Sequence, residues 1–463
     1  MHVRSRRITG FVAAALASIT ALAACGSSSK SGSSSPTTAG SGATSSTAAF
    51  KATTGPLGTG VTDKTIKVGV AIVDFVPIQQ FVDFNHGDEE ATSKVMIDYF
   101  NKHGGFGGRT LDATYMKYTA IGSAGPNQVC TAFTEDQKVF AVLGNIEDPT
   151  GAGQACVSKQ HSTVFLGHDL TDVELNNVAK PGLMLTTDIA AERRLNVLLN
   201  ILAQQKTLAG KKVAVLAETA TAGRIKTVID PALQQMGVQK GSDAVLATGS
   251  STDTTAAQAQ LDAAIEKWKT EGVNAVLISG PDVVSKQFVE KLVRGLPGTL
   301  LLTDATSSAT GAAQDEVTAK VNPNPYEGML TANGLPDQAA FETPTVQNCV
   351  KIYEDATGTK VIAPKDLKPG SDGKRVQVYV AVEDICRQLT LFKQITDKIG
   401  PYLNNDNWAA AVASLGVVPN LPYSQYATIH TGKYDADDTF GLAKFESSAN
   451  DFVLQGNVTN AAG

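Results

Sequence analysis

The sequence predicts an α/β protein built from two open lobes, each a parallel sheet with crossover helices. Three observations carry this. Short β-branched runs alternate with helical stripes from about residue 66 to residue 166. The same rhythm restarts near residue 195 and runs past residue 300. The chain has 463 residues, 42% of them hydrophobic, which suits two or three globular units.

The first unit opens with Ile66–Val73, a strand rich in β-branched residues. Val95, Met96, Tyr99 and Phe100 stripe the helix after it, and the glycines of Gly104–Gly108 end that helix in a turn. Leu111–Tyr118 alternates as a second strand. Gly125-Pro126-Asn127 opens a helix through Val129 and Phe133. Phe140–Leu143 and Thr163–Leu166 are strands, with a helix through Cys156 between them. In the second unit Leu195, Leu198, Leu199 and Leu202 stripe a helix, and Val213–Leu216 is a buried strand. A helix over Pro231–Met236 ends at Gly237, and Leu261, Ala264, Ile265 and Trp268 share one helical face. Ala275–Ile278 and Leu300–Leu302 are strands around a helix through Phe288 and Leu292. In such sheets ligands bind beyond the carboxyl ends of the strands, so two facing lobes would line a cleft from both sides.

The first 24 residues read as a signal peptide: Arg4, Arg6 and Arg7 precede a short apolar run, Ile8–Ala21. Leu22-Ala23-Ala24-Cys25-Gly26 resembles the lipobox of bacterial lipoproteins, which makes Cys25 the expected lipidation site. Residues 26–50 hold ten Ser, four Thr, four Gly and four Ala, and residues 25–61 are expected to form a flexible tether. No later stretch has the roughly 18 apolar residues needed to span a bilayer. A net charge of −6 argues against a nucleic-acid partner. Four cysteines remain in the body. An even set in an exported chain suggests two disulfides, and sequence neighbours favour Cys130–Cys156 and Cys349–Cys386 among three pairings. Four buried thiols are the alternative.

Several strings resemble type I periplasmic binding proteins, the branch of the branched-chain amino-acid (Leu/Ile/Val) receptors in particular. They are Ile66–Val73 with the loop to Pro77, Asn101-Lys102-His103-Gly104-Gly105-Phe106-Gly107-Gly108-Arg109, Phe140–Gly144, Lys211–Leu216, Gly272–Gly280 and Tyr326-Glu327-Gly328. The resemblance covers about residues 62–455. It implies two Rossmann-like lobes joined by a three-crossing hinge, with crossings near Asp188, Met329 and Thr431. Lobe one would be residues 62–187 and 330–430, and lobe two residues 188–329 and 431–463.

The resemblance also implies which loops meet a ligand. Asp74 and Phe81 follow the first strand, Phe81 near an aromatic that covers ligands in relatives. Asp148 and Thr150 fall where relatives use a small hydroxyl beside a helix N-terminus to hold the ligand carboxylate. An aspartate there would repel a carboxylate, and it can instead cap its helix. Thr171 matches a ligand-binding threonine, while His168 and Asp169 depart from the pattern. In lobe two, Asp282 and Asp304 end strands at the cleft edge, and Asp304 falls near the acid that meets a ligand ammonium. The aromatic near Pro281 and a tyrosine in Glu218–Gly223 are missing. Nucleophile, zinc and nucleotide motifs are absent, so no catalytic residue, metal or cofactor is expected. Asp435-Ala436-Asp437-Asp438 lacks calcium-loop spacing and reads as a hairpin tip. The expectation is a lipid-anchored solute-binding protein on the outer face of the cell membrane. It would capture an amino acid or related compound for an ABC-type importer. The alternatives are a sensing receptor of the same fold and an envelope enzyme.

Overall fold

The computed structural model describes residues 50–79, 82–148, 150–248, 254–418 and 426–460. The leader, Cys25, the tether up to residue 49 and Phe81 lie outside the described residues.

Chain order through the first lobe is β1 (Thr65–Val73), β2 (Phe84–Asn85), α1 (Glu89–Lys102), β3 (Thr110–Tyr118), α2 (Ala124–Thr131), β4 (Ala141–Gly144), α3 (Ala152–Ala155), β5 (Val164–Gly167), α4 (Asp172–Asn176) and β6 (Met184–Thr186). The strands form a parallel sheet in the order β3-β1-β4-β5-β6. The second lobe follows with α5 (Ala191–Gln205), β7 (Lys212–Glu218), α6 (Asp230–Gln235), β8 (Gln239–Leu246), α7 (Thr255–Glu271), β9 (Ala275–Ser279), α8 (Lys286–Gly295), β10 (Leu300–Thr303), α9 (Thr306–Thr318) and β11 (Leu330–Asn333). The chain then returns through α10 (Asp337–Phe341), α11 (Pro344–Thr357), β12 (Arg375–Val376), α12 (Val378–Ile399), α13 (Asn405–Ala413), β13 (Gly416–Val417) and β14 (Thr428–Ile429). It closes with β15 (Thr439–Glu446), β16 (Asp451–Leu454) and β17 (Thr459–Asn460). The second sheet runs β16-β15-β11-β10-β9-β7-β8, with β15 and β16 antiparallel to their neighbours.

Buried apolar strands explain both sheets. Val68, Val70, Val142, Leu143 and Phe165 are sealed under α12 and α13, where Phe140, Phe392 and Trp408 stack edge on face. Val276, Ile278, Trp268 and Phe288 fill one side of the second sheet, and Leu198, Leu202, Val215 and Leu277 the other. The glycine turn after α1 is structural. It delivers buried Arg109, whose guanidinium donates to Thr62 O (2.7 Å), Gly400 O (3.0 Å) and Pro401 O (2.7 Å). Disulfides join Cys130 to Cys156 and Cys349 to Cys386, linking α2 to the turn that follows α3 and α11 to α12. Among the described residues no helix is long and apolar enough to cross a membrane.

Three features differ from the sequence reading. Residues 50–60, expected as tether, lie against lobe one: Gly58 N donates to Leu403 O, and Thr53 exchanges hydrogen bonds with Asn407. Leu330–Asn333 pairs with β10 and β15, so the second passage between lobes falls after Asn333, beyond Met329. The Glu327-Gly328 turn feeds a strand before the chain leaves the lobe. Asp435–Asp438 is no exposed hairpin tip. The tight turn is His430–Lys433, and the acids that follow are buried in the third passage. There Arg193 Nε meets Asp435 (2.5 Å) and Nη1 meets Asp438 (3.1 Å). Lys433 Nζ lies 3.1 Å from Asp438.

Candidate functional site

The loops beyond the carboxyl ends of β1, β4 and β5, and of β7, β9 and β10 in the other sheet, hold the residues that the resemblance singled out. Two strand ends close with glycines that nothing larger could replace. Gly144 has φ +99°, and a Cβ would sit 2.2 Å from Ala71 O. Gly280 has φ +117°, and a Cβ would meet the Glu218 carboxyl carbon at 2.5 Å.

In lobe one, Asp74 accepts from Val76 N (3.0 Å) and shapes the turn after β1. Asp148 is buried and accepts four hydrogen bonds. Ser123 Oγ (3.0 Å), Thr150 N (3.0 Å) and Thr150 Oγ1 (2.7 Å) reach Oδ1, and Gly153 N (2.8 Å) reaches Oδ2. Burial would raise its pKa, but these donors together hold the carboxyl below its usual range. The donors before α3 are thus occupied by the chain's own carboxylate. Thr171 is the N-cap of α4. Its hydroxyl donates to Glu174 Oε2 (2.8 Å) and accepts from Glu174 N (3.1 Å), a reciprocal capping box. His168 stands between Asp169 (4.0 Å) and Asp384 (3.6 Å). Burial opposes its charge, yet Asp384 and Asp169 outweigh it and raise the imidazole to about 10. Asp169, at φ +54°, also faces Arg194 of α5 at 4.0 Å.

In lobe two, Asp304 is buried and accepts from Ser279 Oγ (2.7 Å), Gly280 N (3.0 Å) and Arg224 Nη1 (3.3 Å). Arg224 pairs at the same time with Glu192 (2.9 Å). Buried Glu218 accepts from Asp282 N (2.9 Å), and burial with the Asp282 charge pushes it up to about 8. Burial raises Asp282 as well.

Sequence reasoning passed over Glu147. Its backbone N–H donates to Tyr118 Oη (2.7 Å), which itself donates to Asn145 O (3.0 Å). The side chain reaches water, but the surrounding protein, Asp169, Glu174 and Asp282 push it up to about 7, against the pull of His168. Asp282 belongs to the other lobe, and Asn145 Nδ2, from the same loop as Glu147, donates to the Glu147 carboxylate. No ion pair among the described residues engages Glu147 or Asp282, whereas Asp169 and Asp304 each have an arginine or histidine beside them. Position alone did not separate these pairs. The one available signal was an acid, Glu147, immediately before the aspartate that the resemblance singled out.

The lobes also touch at the hinge. Asp172 N donates to Glu192 Oε2 (2.6 Å), and Arg387 of α12 donates to Thr187 O and Asp188 Oδ1, both at 2.6 Å.

No family model and no curated protein matches the chain. Solved structures do. A solute-binding protein of an ABC transporter from Rhodopseudomonas palustris BisB5, in complex with 3,4-dihydroxybenzoic acid, matches with TM-score 0.58 at 14% identity over 86% of this chain and 98% of that one. A fatty acid ABC transporter substrate-binding protein from Thermomonospora curvata gives 0.60 at 16% identity, over 88% and 95%. A leucine-binding protein from Thermotoga maritima gives 0.59 at 12% identity, over 85% and 99%. At these identities the likeness is one of fold.

Proposed function

We propose, from the two-lobed fold that this chain shares with type I periplasmic binding proteins, that it captures a small solute between its lobes and delivers it to an ABC-type permease. In this reading Cys25 carries a lipid and holds the protein on the outer face of the membrane. The mechanism needs no covalent chemistry. A ligand touching both lobes stabilises the closed arrangement by its differential affinity.

The observation that carries the ligand class is the pair Glu147 and Asp282, acids on opposite lobes that no ion pair among the described residues engages. The ligand is an amino acid or related compound whose cationic group meets these two acids. Asp148 already fills the donors before α3, so a free carboxylate on the ligand has no seat there. Asp74, Thr150, Thr171, Asp169 and Asp304 shape the loops around that contact.

The test is a thermal-shift panel on the mature protein with amines, amino-acid amides, amino acids, aromatic acids and fatty acids. Ligand at 100 times its Kd adds about 2.7 kcal/mol. Cationic compounds are expected to stabilise, and binding should tighten as pH rises through about 7, because the cation favours ionised Glu147. Glu147→Gln should flatten that pH dependence. A response restricted to benzoates or fatty acids, tightening toward low pH, overturns the ligand class. A flat panel with folded, ligand-stripped protein favours a sensing receptor that binds a partner instead.

A further inference from the structure

A second set of interlobe contacts lies outside the cleft loops. Strands β2 and β12 pair in parallel as a two-stranded ribbon that belongs to neither main sheet. Both are carried by lobe one, β2 just before α1 and β12 just before α12. Arg375 is only 2% exposed, and its guanidinium docks on α9 of lobe two. Nη1 donates to Gln314 Oε1 (2.5 Å), Nη2 donates to Gly311 O (3.1 Å), and Nη2 also pairs with Asp315. Just before the paired strand, Asp83 N donates to the second Asp315 oxygen (3.2 Å). The Phe84 ring covers Gly311, where an added Cβ would meet it at 3.3 Å. Lys374 Nζ holds the ribbon together through Gln79 O (2.8 Å) and the Asp83 carboxylate (3.8 Å). Beside it Tyr379 Oη donates to Asp337 (3.3 Å).

We infer that this ribbon is a clasp between the lobes, in which Arg375 grips the Gly311–Asp315 face of α9 and biases the protein toward its closed arrangement without any ligand. No backbone crossing connects the ribbon to α9, so the contact survives only while the lobes stay together. A guanidinium held at once by a carboxylate, an amide oxygen and a backbone carbonyl in a dry seat is a directional contact, and removing either charge leaves the other buried without its partner. The balance between open and closed forms sets how much of a ligand's binding energy goes into closure. The clasp therefore acts on affinity for any solute, whatever its chemistry.

The experiment uses the ligand-free mature chain and compares wild type with Arg375→Ala and Asp315→Asn. Hydrogen exchange is read on α9, on the ribbon and on the cleft loops near residues 145–148, 168–171, 218–224 and 280–285, with small-angle scattering in parallel. Both variants are expected to speed exchange in the cleft loops about tenfold, equal to about 1.4 kcal/mol of opening, and to broaden the scattering particle. The isosteric Asp315→Asn keeps the test alive should Arg375→Ala not fold. Exchange that rises only in the ribbon and α9, or evenly over the whole chain, with scattering unchanged, overturns the clasp.

Discussion

Replacing Asp148 by alanine should remove the organising centre of the β4–α3 loop. The carboxylate holds two backbone N–H groups, Thr150 and Gly153, and two hydroxyls, Ser123 and Thr150. The hydroxyls can turn to other partners, but the Gly153 N–H is buried and would be orphaned at about 1–3 kcal/mol. The expected cost is about 1–3 kcal/mol at pH 7, measured by urea unfolding. The folded carboxyl lies below its unfolded value, so its stabilisation is complete above about pH 4. It is lost as pH falls through the folded pKa, and the two unfolding curves should converge there. Asparagine should cost nearly as much, because one of its two ends presents N–H to an N–H. The emptied donors should also accept an added anion, so acetate would stabilise Asp148→Ala and leave wild type unchanged. A cost under about 0.5 kcal/mol, or a gap that does not shrink as pH falls below about 4, would refute the role given to these hydrogen bonds.

Two further outcomes follow from the same geometry. Opening Cys130–Cys156 by serine replacement should lower stability by about 3–4 kcal/mol, since it frees a loop with a sequence separation of 26; calorimetry with and without reductant checks it. Glu218→Gln should stabilise the protein in alkaline solution. The folded pKa of about 8 exceeds the unfolded value of about 4.3, so wild-type stability falls as pH rises between them. The variant should gain about 4–5 kcal/mol at pH 8 and nothing at pH 4, and equal melting temperatures at both pH values would sink the argument.

Much of the fold was legible because the strands are buried on both faces. Val213–Leu216 and Ala275–Ile278 read as continuous apolar runs, and they stand side by side in the sheet. The two disulfides followed from pairing neighbours. The site was less legible, because a carboxylate's availability depends on partners far away in sequence. Asp304 looked like a ligand acid, but Arg224, 80 residues earlier, lies against it. Asp435 looked exposed, but Arg193, 242 residues earlier, covers it. Thr171 matched a ligand position, yet the Glu174 three residues on makes it a helix cap, a local pattern that the sequence did contain.

The stitching of residues 50–60 onto lobe one has a mechanical meaning. Asn404 Nδ2 donates to Pro56 O (3.0 Å) and Gly58 N to Leu403 O (2.9 Å), while the Phe50 ring lies 5.8 Å from Lys398 Nζ. A lipid on Cys25 would then be joined to the folded body at Phe50, not at Gly60. The mooring point sits on one lobe alone, at the end of β1 remote from the ligand loops. An anchor on that side would hold lobe one and leave lobe two to move against it.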